Sequence, residues 1–107
     1  MVRQKAVVKL PEDTPWASAC IPGCGVMTGF GSVVNAAKVQ PGQSEAVLGC
    51  GGVGLNVIQG ARIAGACPII AVEVLPKRFE MATLFGATHT IMGDKGDVSL
   101  QSVTQKV

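Results

Sequence analysis

The stretch Ala46-Val47-Leu48-Gly49-Cys50-Gly51-Gly52-Val53-Gly54 decides the fold of this chain. Its apolar residues predict a β-strand, and the G-x-G-x-x-G pattern that follows is typical of a turn between a strand and a helix. Gly49 permits the tight turn, Gly51 lets the backbone approach a pyrophosphate, and Gly54 lets the helix pack closely on the strand. The free N–H groups at the start of that helix favour phosphate binding.

A second apolar run, Ile69-Ile70-Ala71-Val72, ends at an acid, Glu73. An unbroken apolar run is typical of a parallel strand that is covered on both faces. At the end of that strand, the carboxylate of Glu73 is predicted to accept both ribose hydroxyls of an adenosine. Its charge would repel a 2′-phosphate, which favours NAD over NADP, although Arg78 offsets part of this preference.

The remaining pattern completes a β-α-β-α-β order. Helices are predicted over residues 53–64 and 77–85, a third strand over 88–92, a loop over 93–97 and the start of a third helix over 98–107. The predicted fold class is α/β, a partial Rossmann fold that forms one half of a doubly wound parallel sheet, with strand order 3-2-1. The first strand then lies at an edge, which favours homo-oligomer formation.

Finer expectations concern the helix after the glycines and the segment before them. Its buried face is predicted to contain Val53, Val57, Ala61 and Ala64. Cys50 and Cys67 are expected to pack as small hydrophobic residues. Near the N-terminus, residues 16–21 predict a helical turn, which Pro22 and Gly23 are expected to break.

Composition bounds the class of protein. The chain has 107 residues, of which 48% are hydrophobic and 15% charged, so we expect one small globular domain. The net charge of +2 comes without a basic block, which gives no support for nucleic-acid binding. No continuous run of about 18 apolar residues predicts a transmembrane helix, and the N-terminal apolar run is too short for a signal peptide. We therefore expect a cytoplasmic protein with no disulfide framework and no zinc site within this chain alone.

From about Trp16 to Val107 the chain resembles the coenzyme-domain segment of medium-chain, zinc-dependent alcohol dehydrogenases. Three stretches carry the resemblance: Gly23-Cys24-Gly25-Val26-Met27-Thr28-Gly29-Phe30-Gly31, Val39-Gln40-Pro41-Gly42 with the glycine motif, and Phe85-Gly86-Ala87-Thr88-His89. They cover most of this chain and a minor part of a typical family member. The resemblance implies a lead-in from the catalytic-domain junction over residues 1–25 and a partial NAD-binding domain over residues 26–107.

The resemblance also implies a metal and a nicotinamide contact. Cys24 matches the third catalytic zinc ligand of the family, whose other two ligands, a Cys and a His, lie in an N-terminal domain. Thr28 matches a catalytic-site threonine that lies against the nicotinamide. His89 is too far along the fold to replace a missing ligand, so Cys24 alone is not expected to hold zinc.

On the adenosine side, Gly52 and Val53 match residues whose backbone amides meet the pyrophosphate. Glu73 stands where the family usually has Asp as the ribose-binding acid, and Arg78 matches a basic residue near the adenosine ribose. The predicted cofactor-binding set is therefore Gly49, Gly51, Gly52, Val53, Gly54, Glu73 and Arg78.

The leading hypothesis is a fragment of an NAD-dependent zinc alcohol dehydrogenase, an enzyme that transfers hydride between an alcohol or aldehyde and NAD. Because two zinc ligands are missing, we expect the isolated chain to lack turnover. The alternative is a non-catalytic module that binds a nucleotide or associates with another subunit through the open strand edge. A third hypothesis, a fold that binds S-adenosylmethionine, is opposed by the match over residues 23–31.

Overall fold

A computed structural model of the chain describes residues 1–93, and the helix expected over residues 98–107 lies outside this part. The regular elements, in chain order, are α1 Trp16–Ala19, α2 Met27–Gly31, β1 Glu45–Leu48, α3 Gly52–Ile63, β2 Ile69–Glu73, α4 Phe79–Phe85 and β3 His89–Met92. Short 3₁₀ turns cover Gln4–Ala6 and Pro76–Arg78, and wider π-type turns cover Pro22–Val26 and Ser32–Ala37.

The sheet has three parallel strands in the order β1-β2-β3, which confirms the predicted α/β fold and the 3-2-1 order. Val47 of β1 lies opposite Ala71 of β2, and Ala71 lies opposite Thr90 of β3. The central strand β2 is buried along nearly its whole length, as its unbroken apolar run predicts. This arrangement brings the carboxyl ends of β1 and β2 to one edge of the sheet, where the glycine turn and Glu73 meet.

Helix α3 packs on the sheet through Ile58 and Ala61, both of which have no exposed surface. The expectation that Val53 belongs to the buried face is wrong, because 42% of that residue is exposed. Val53 lies in the first turn of α3, next to the glycine turn and past the last residue of β1. Side chains at this end of the helix line an open cleft instead of the core.

The helical structure before the sheet is interrupted once and then resumes. α1 ends at Ala19, before Pro22, and after a turn at Cys20 and a bend at Ile21 a π-type turn over Pro22–Val26 carries the chain into α2. The whole stretch, Trp16–Ala37, has 22 residues and a mean hydropathy of 1.4, so by length and composition it is able to cross a membrane. A core helix of a soluble protein passes the same test.

Helices α2 and α3 pack closely because small residues lie at their contact. Gly29 is buried, and a Cβ at this position would lie 2.6 Å from the Cβ of Asn56 and 2.7 Å from the carbonyl oxygen of Val53. A Cβ at Gly60 would lie 3.3 Å from the Cα of Phe30. Backbone therefore meets backbone at this crossing, and the segment that carries Cys24 and Thr28 is held against the first turns of α3.

The core lies between the sheet and these helices. Cys50 belongs to it, with 1% of its surface exposed, as predicted for a small hydrophobic residue. The same expectation for Cys67 is wrong, since its thiol is exposed. Cys67 lies in the loop before β2, where its backbone N–H donates to the Gln43 carbonyl at 2.9 Å.

Candidate functional site

The glycine turn leaves β1 and enters α3 with a geometry that only glycine accepts at two positions. Gly49 has a φ of +92°, in the left-handed region, and its N–H donates to the Val72 carbonyl at 2.8 Å. A Cβ at Gly54 would overlap the carbonyl oxygen of Gly49. The first turn of α3 is thereby placed directly over the end of β1.

The outer side of this turn is open. No atom lies within 4 Å of the position that a Cβ would take at Gly51 or at Gly52. Clefts of about 570 Å³ and about 350 Å³ lie on the two sides of the turn, and both are lined by Gly51 and Gly52. The first N–H groups of a helix have no intrahelical acceptor and carry a partial positive charge, so this end of α3 is suited to an anion.

Glu73 lies beneath the turn and joins it to the end of β2. Only 4% of Glu73 is exposed, and within residues 1–93 it is the one charged side chain that is buried. Its Oε2 accepts the Cys50 N–H at 2.8 Å and the Arg78 Nη1 at 3.2 Å. Its Oε1 accepts the N–H groups of Val74 and Leu75 at 2.8 and 3.2 Å.

These contacts set the ionisation of the two buried groups at the turn. Burial opposes the charge on Glu73, but the donors from Cys50, Val74, Arg78 and Leu75 outweigh it and hold the pKa of Glu73 below its ordinary value. Burial, together with the nearby Glu73 charge, raises the pKa of the Cys50 thiol, and Arg78 opposes this effect. Glu73 is thus an anion, while Cys50 remains a protonated thiol at neutral pH.

Arg78 and Lys77 form the cationic wall of the smaller cleft. Both side chains lie beside the glycine turn, and 44% of the Arg78 side chain is exposed although it pairs with Glu73. Lys77 is not among the site residues predicted from the sequence. The sequence feature that could have indicated Lys77 is the pair of basic residues directly after Pro76, where the chain leaves the end of β2.

Cys24 and Thr28 lie apart from this cluster, on the segment packed against α3. Both are exposed, and the Thr28 carbonyl accepts the Ser32 hydroxyl at 2.6 Å. Across the described residues 1–93, no group of three or more His, Cys, Asp or Glu side chains is placed to hold a metal ion. The residues present therefore do not form a zinc site with Cys24.

The structure brings all seven predicted cofactor residues to one edge of the sheet and leaves the metal and nicotinamide candidates, Cys24 and Thr28, outside it. Asn56 of α3, which is not among the residues predicted from the sequence, donates through Nδ2 to the Gly52 carbonyl at 2.8 Å. The backbone donors to Glu73 were also missed, because no side-chain type signals them. The residues that the fold gathers are Gly49, Gly51, Gly52, Val53, Gly54, Glu73 and Arg78.

Several known proteins have sequences similar to that of this chain. The sequence model of the family described as "Zinc-binding dehydrogenase" matches residues 52–106. The chain is 46% identical over 103 residues to S-(hydroxymethyl)glutathione dehydrogenase of Escherichia coli O1:K1 / APEC, and 46% identical over the same length to the protein of that name from Synechocystis sp.. Each alignment covers 96% of this chain and 28% of the relative, so the chain spans 28% of the length of these curated relatives.

Two solved structures have a similar fold. The alcohol dehydrogenase zinc-binding domain protein from Burkholderia ambifaria superposes with a TM-score of 0.77 at 38% identity. Benzyl alcohol dehydrogenase from Acinetobacter calcoaceticus gives a TM-score of 0.77 at 37% identity. In both cases the superposition covers 92% of this chain and 26% of the other.

Proposed function

This chain belongs to the zinc-binding, medium-chain alcohol dehydrogenase family, and from that premise we propose that it supplies the ADP-binding half of the NAD site in an enzyme of that kind. The activity proposed for the whole enzyme is hydride transfer between an alcohol or aldehyde and NAD. When bound, NAD supplies the hydride acceptor or donor. S-(hydroxymethyl)glutathione and benzyl alcohol, which name two similar proteins, each carry a CH₂OH group, so a primary alcohol is the proposed substrate class.

The observation that supports this proposal most strongly is the open backbone at Gly51 and Gly52. A Cβ at either position would have no atom of a residue beyond its immediate surroundings within 4 Å, so the space around the backbone does not require glycine there. Glycine at these positions leaves room for a pyrophosphate against the N–H groups of α3. By contrast, Gly49 and Gly54 are required by the turn itself.

The described residues fit the adenosine side of the cofactor. Gly52 and Val53 are proposed to donate their backbone N–H groups to the pyrophosphate, and Glu73 and Arg78 are proposed to border the adenosine ribose. The Glu73 carboxylate also holds the Cys50 N–H, which keeps the turn in its binding conformation. On the nicotinamide side, Thr28 is the one residue proposed as a contact.

The described residues do not by themselves fit zinc, because no cluster of candidate ligands exists among residues 1–93. Cys24 is proposed as one of three catalytic ligands in the whole enzyme, with the other two supplied from outside this chain. No step of the reaction is therefore assigned to this chain alone, and we expect the isolated chain to lack turnover. NADH formation that depends on an alcohol and is abolished by a chelator would contradict this expectation.

Calorimetric titration of the purified chain with NAD and with ADP-ribose tests the proposal. Because the proposed contacts are mostly to the ADP part, both ligands should bind, with dissociation constants within about threefold of each other. Failure of both ligands to bind a folded chain would contradict the proposal. A large preference for NAD would contradict the assignment of the site to the ADP half.

A second candidate function is association with another subunit through the edge of β1. In the described part of the chain this strand pairs only with β2, and 44% of Leu48 is exposed. An exposed apolar edge favours pairing with another chain. Replacing Leu48 by Lys should reduce any dimer seen by sedimentation, whereas an unchanged dimer would contradict this role.

The domain boundary at residues 25 and 26 and a cytoplasmic location remain predictions.

A further inference from the structure

One side-chain amide donates to the backbone at the start of α3. Nδ2 of Asn56 donates to the Gly52 carbonyl oxygen at 2.8 Å. The regular ladder of an α-helix also assigns the backbone N–H of Asn56 to this oxygen, because Gly52 lies four residues earlier in α3. A carbonyl oxygen has two lone pairs, so both acceptor positions of Gly52 are in use. The bond from Nδ2 is therefore an addition to the bonds that the helix itself requires.

The Gly52 carbonyl belongs to the same peptide unit as the N–H of Val53. That N–H lies in the first turn of α3, where N–H groups have no intrahelical acceptor. It is one of the N–H groups proposed to donate to the pyrophosphate. Hydrogen bonds in a chain polarise one another, so a donor on the carbonyl oxygen makes the N–H of that peptide unit a stronger donor. The Asn56 amide is thus one peptide unit away from the proposed anion.

The packing of α2 on α3 limits where the Asn56 side chain can lie. A Cβ at Gly29 would lie 2.6 Å from the Cβ of Asn56, and a Cβ at Gly25 would lie 4.0 Å from its Nδ2. The side chain therefore fills space that glycine leaves at this crossing. Helix stability does not favour the residue, because Asn is a poorer helix former than Ala.

We propose that Asn56 is a positioning residue for phosphate binding. By donating to the Gly52 carbonyl it fixes and polarises the Gly52–Val53 peptide, so that the Val53 N–H binds a phosphate group more tightly. The inference rests on the proposed function and adds to it a residue that touches no ligand. Since the bond reaches back exactly one helical turn, a Ser hydroxyl at position 56 should replace the amide, because Ser side chains also bond the carbonyl four residues back.

Calorimetric titration of the full chain with ADP-ribose, together with NMR of the backbone amides, tests this inference. Asn56→Ala and Asn56→Leu both remove the donor, and Leu keeps a side chain of similar size at the contact with Gly29. Asn56→Ser keeps a donor. Gln59→Ala is the matched control, since it removes an exposed amide side chain from the same helix. Urea unfolding of each variant establishes that the titrated protein is folded.

The two variants without a donor should bind ADP-ribose at least about threefold more weakly than the unaltered chain. Asn56→Ser should recover most of the affinity, and Gln59→Ala should change it less than about twofold. Binding should also move the Val53 amide proton downfield, and at saturation this shift should be smaller in the variants without a donor. A residue that only stabilised the fold would leave the shift of the saturated protein unchanged.

Three results would overturn the inference while the proposed function stands. They are a loss of affinity below about threefold in the variants without a donor, an equal loss in Asn56→Ser, and a Val53 shift at saturation that is the same in all the proteins. The absence of ADP-ribose binding by the unaltered chain would contradict the proposed function and the inference together.

Discussion

The backbone N–H of Cys50 donates to the carboxylate of Glu73 at 2.8 Å, across 23 positions of sequence. This bond joins the middle of the glycine turn to the last residue of β2. Because Glu73 also holds the next two backbone N–H groups and Arg78, one buried anion fixes the turn, the end of the central strand and the start of the following helical segment. The shape of the glycine turn therefore depends on a side chain that lies 23 residues further along the chain.

Replacing Glu73 by Gln should lower the free energy of unfolding by roughly 2–4 kcal/mol, since an amide NH₂ would face buried N–H donors and the bond to Arg78 would weaken. Urea unfolding followed by circular dichroism measures this change. Glu80→Gln is the control, because Glu80 is an exposed acid on α4, and its effect should stay within about 0.5 kcal/mol. Equal stabilities for the two variants would contradict the buried role of Glu73.

The stability that Glu73 provides should depend on pH with a defined sign. Its folded-state pKa is held below the unfolded value, so the contribution is full above the unfolded pKa of about 4.3 and is lost as the pH falls through the folded pKa. The unfolding free energies of the unaltered chain and of Glu73→Gln should therefore begin to converge as the pH falls below about 4.3, and should converge further as the pH falls through the folded pKa. Taking the difference between the two proteins removes the effect of other carboxylates. A difference that grows on acidification would contradict the sign.

Gly54→Ala should destabilise the chain by about 1–3 kcal/mol, because its Cβ would overlap the carbonyl of Gly49 and the turn would have to move. Gly52→Ala is the matched control. It adds the same methyl group two residues earlier, where no atom lies within 4 Å, and the higher helix propensity of Ala favours it. Thermal unfolding compares the two variants, and equal destabilisation would contradict the packing described for Gly54.

The close contact between α2 and α3 leads to a similar prediction about stability. Gly29→Ala should lower stability by about 1–3 kcal/mol, because the added Cβ would lie 2.6 Å from the Cβ of Asn56. Gly31→Ala lies in the same helix, where its Cβ would be 3.7 Å from Asn35 Nδ2, an ordinary contact, so this control should be neutral or stabilising. The measurement is the unfolding midpoint of each variant. A Gly29→Ala variant as stable as the unaltered chain would contradict close packing at this contact.

Particular residues show how far sequence reasoning reaches. The unbroken apolar run before Glu73 predicted a buried parallel strand, because such a strand has no polar face. The glycine spacing predicted the turn, because its backbone geometry excludes side chains at defined positions.

Other features could not be predicted in this way. The four hydrogen bonds to Glu73 could not be predicted, because three of the four donors are backbone N–H groups, which nearly every residue has. The exposure of Val53 could not be predicted for a different reason. Helical periodicity gives the direction of a side chain, but it does not say where along the helix the covering strands end.

The most direct test of the proposed nucleotide site is titration of Gly51→Ala with ADP-ribose, alongside the unaltered chain. A Cβ at Gly51 meets no protein atom, so the folded structure should survive with a loss of no more than about 1 kcal/mol at the N-cap of α3. The same methyl group would occupy the space of the pyrophosphate, so affinity for ADP-ribose should fall about tenfold or more. Unchanged affinity in the folded variant would contradict the assignment of this turn as the phosphate-binding site.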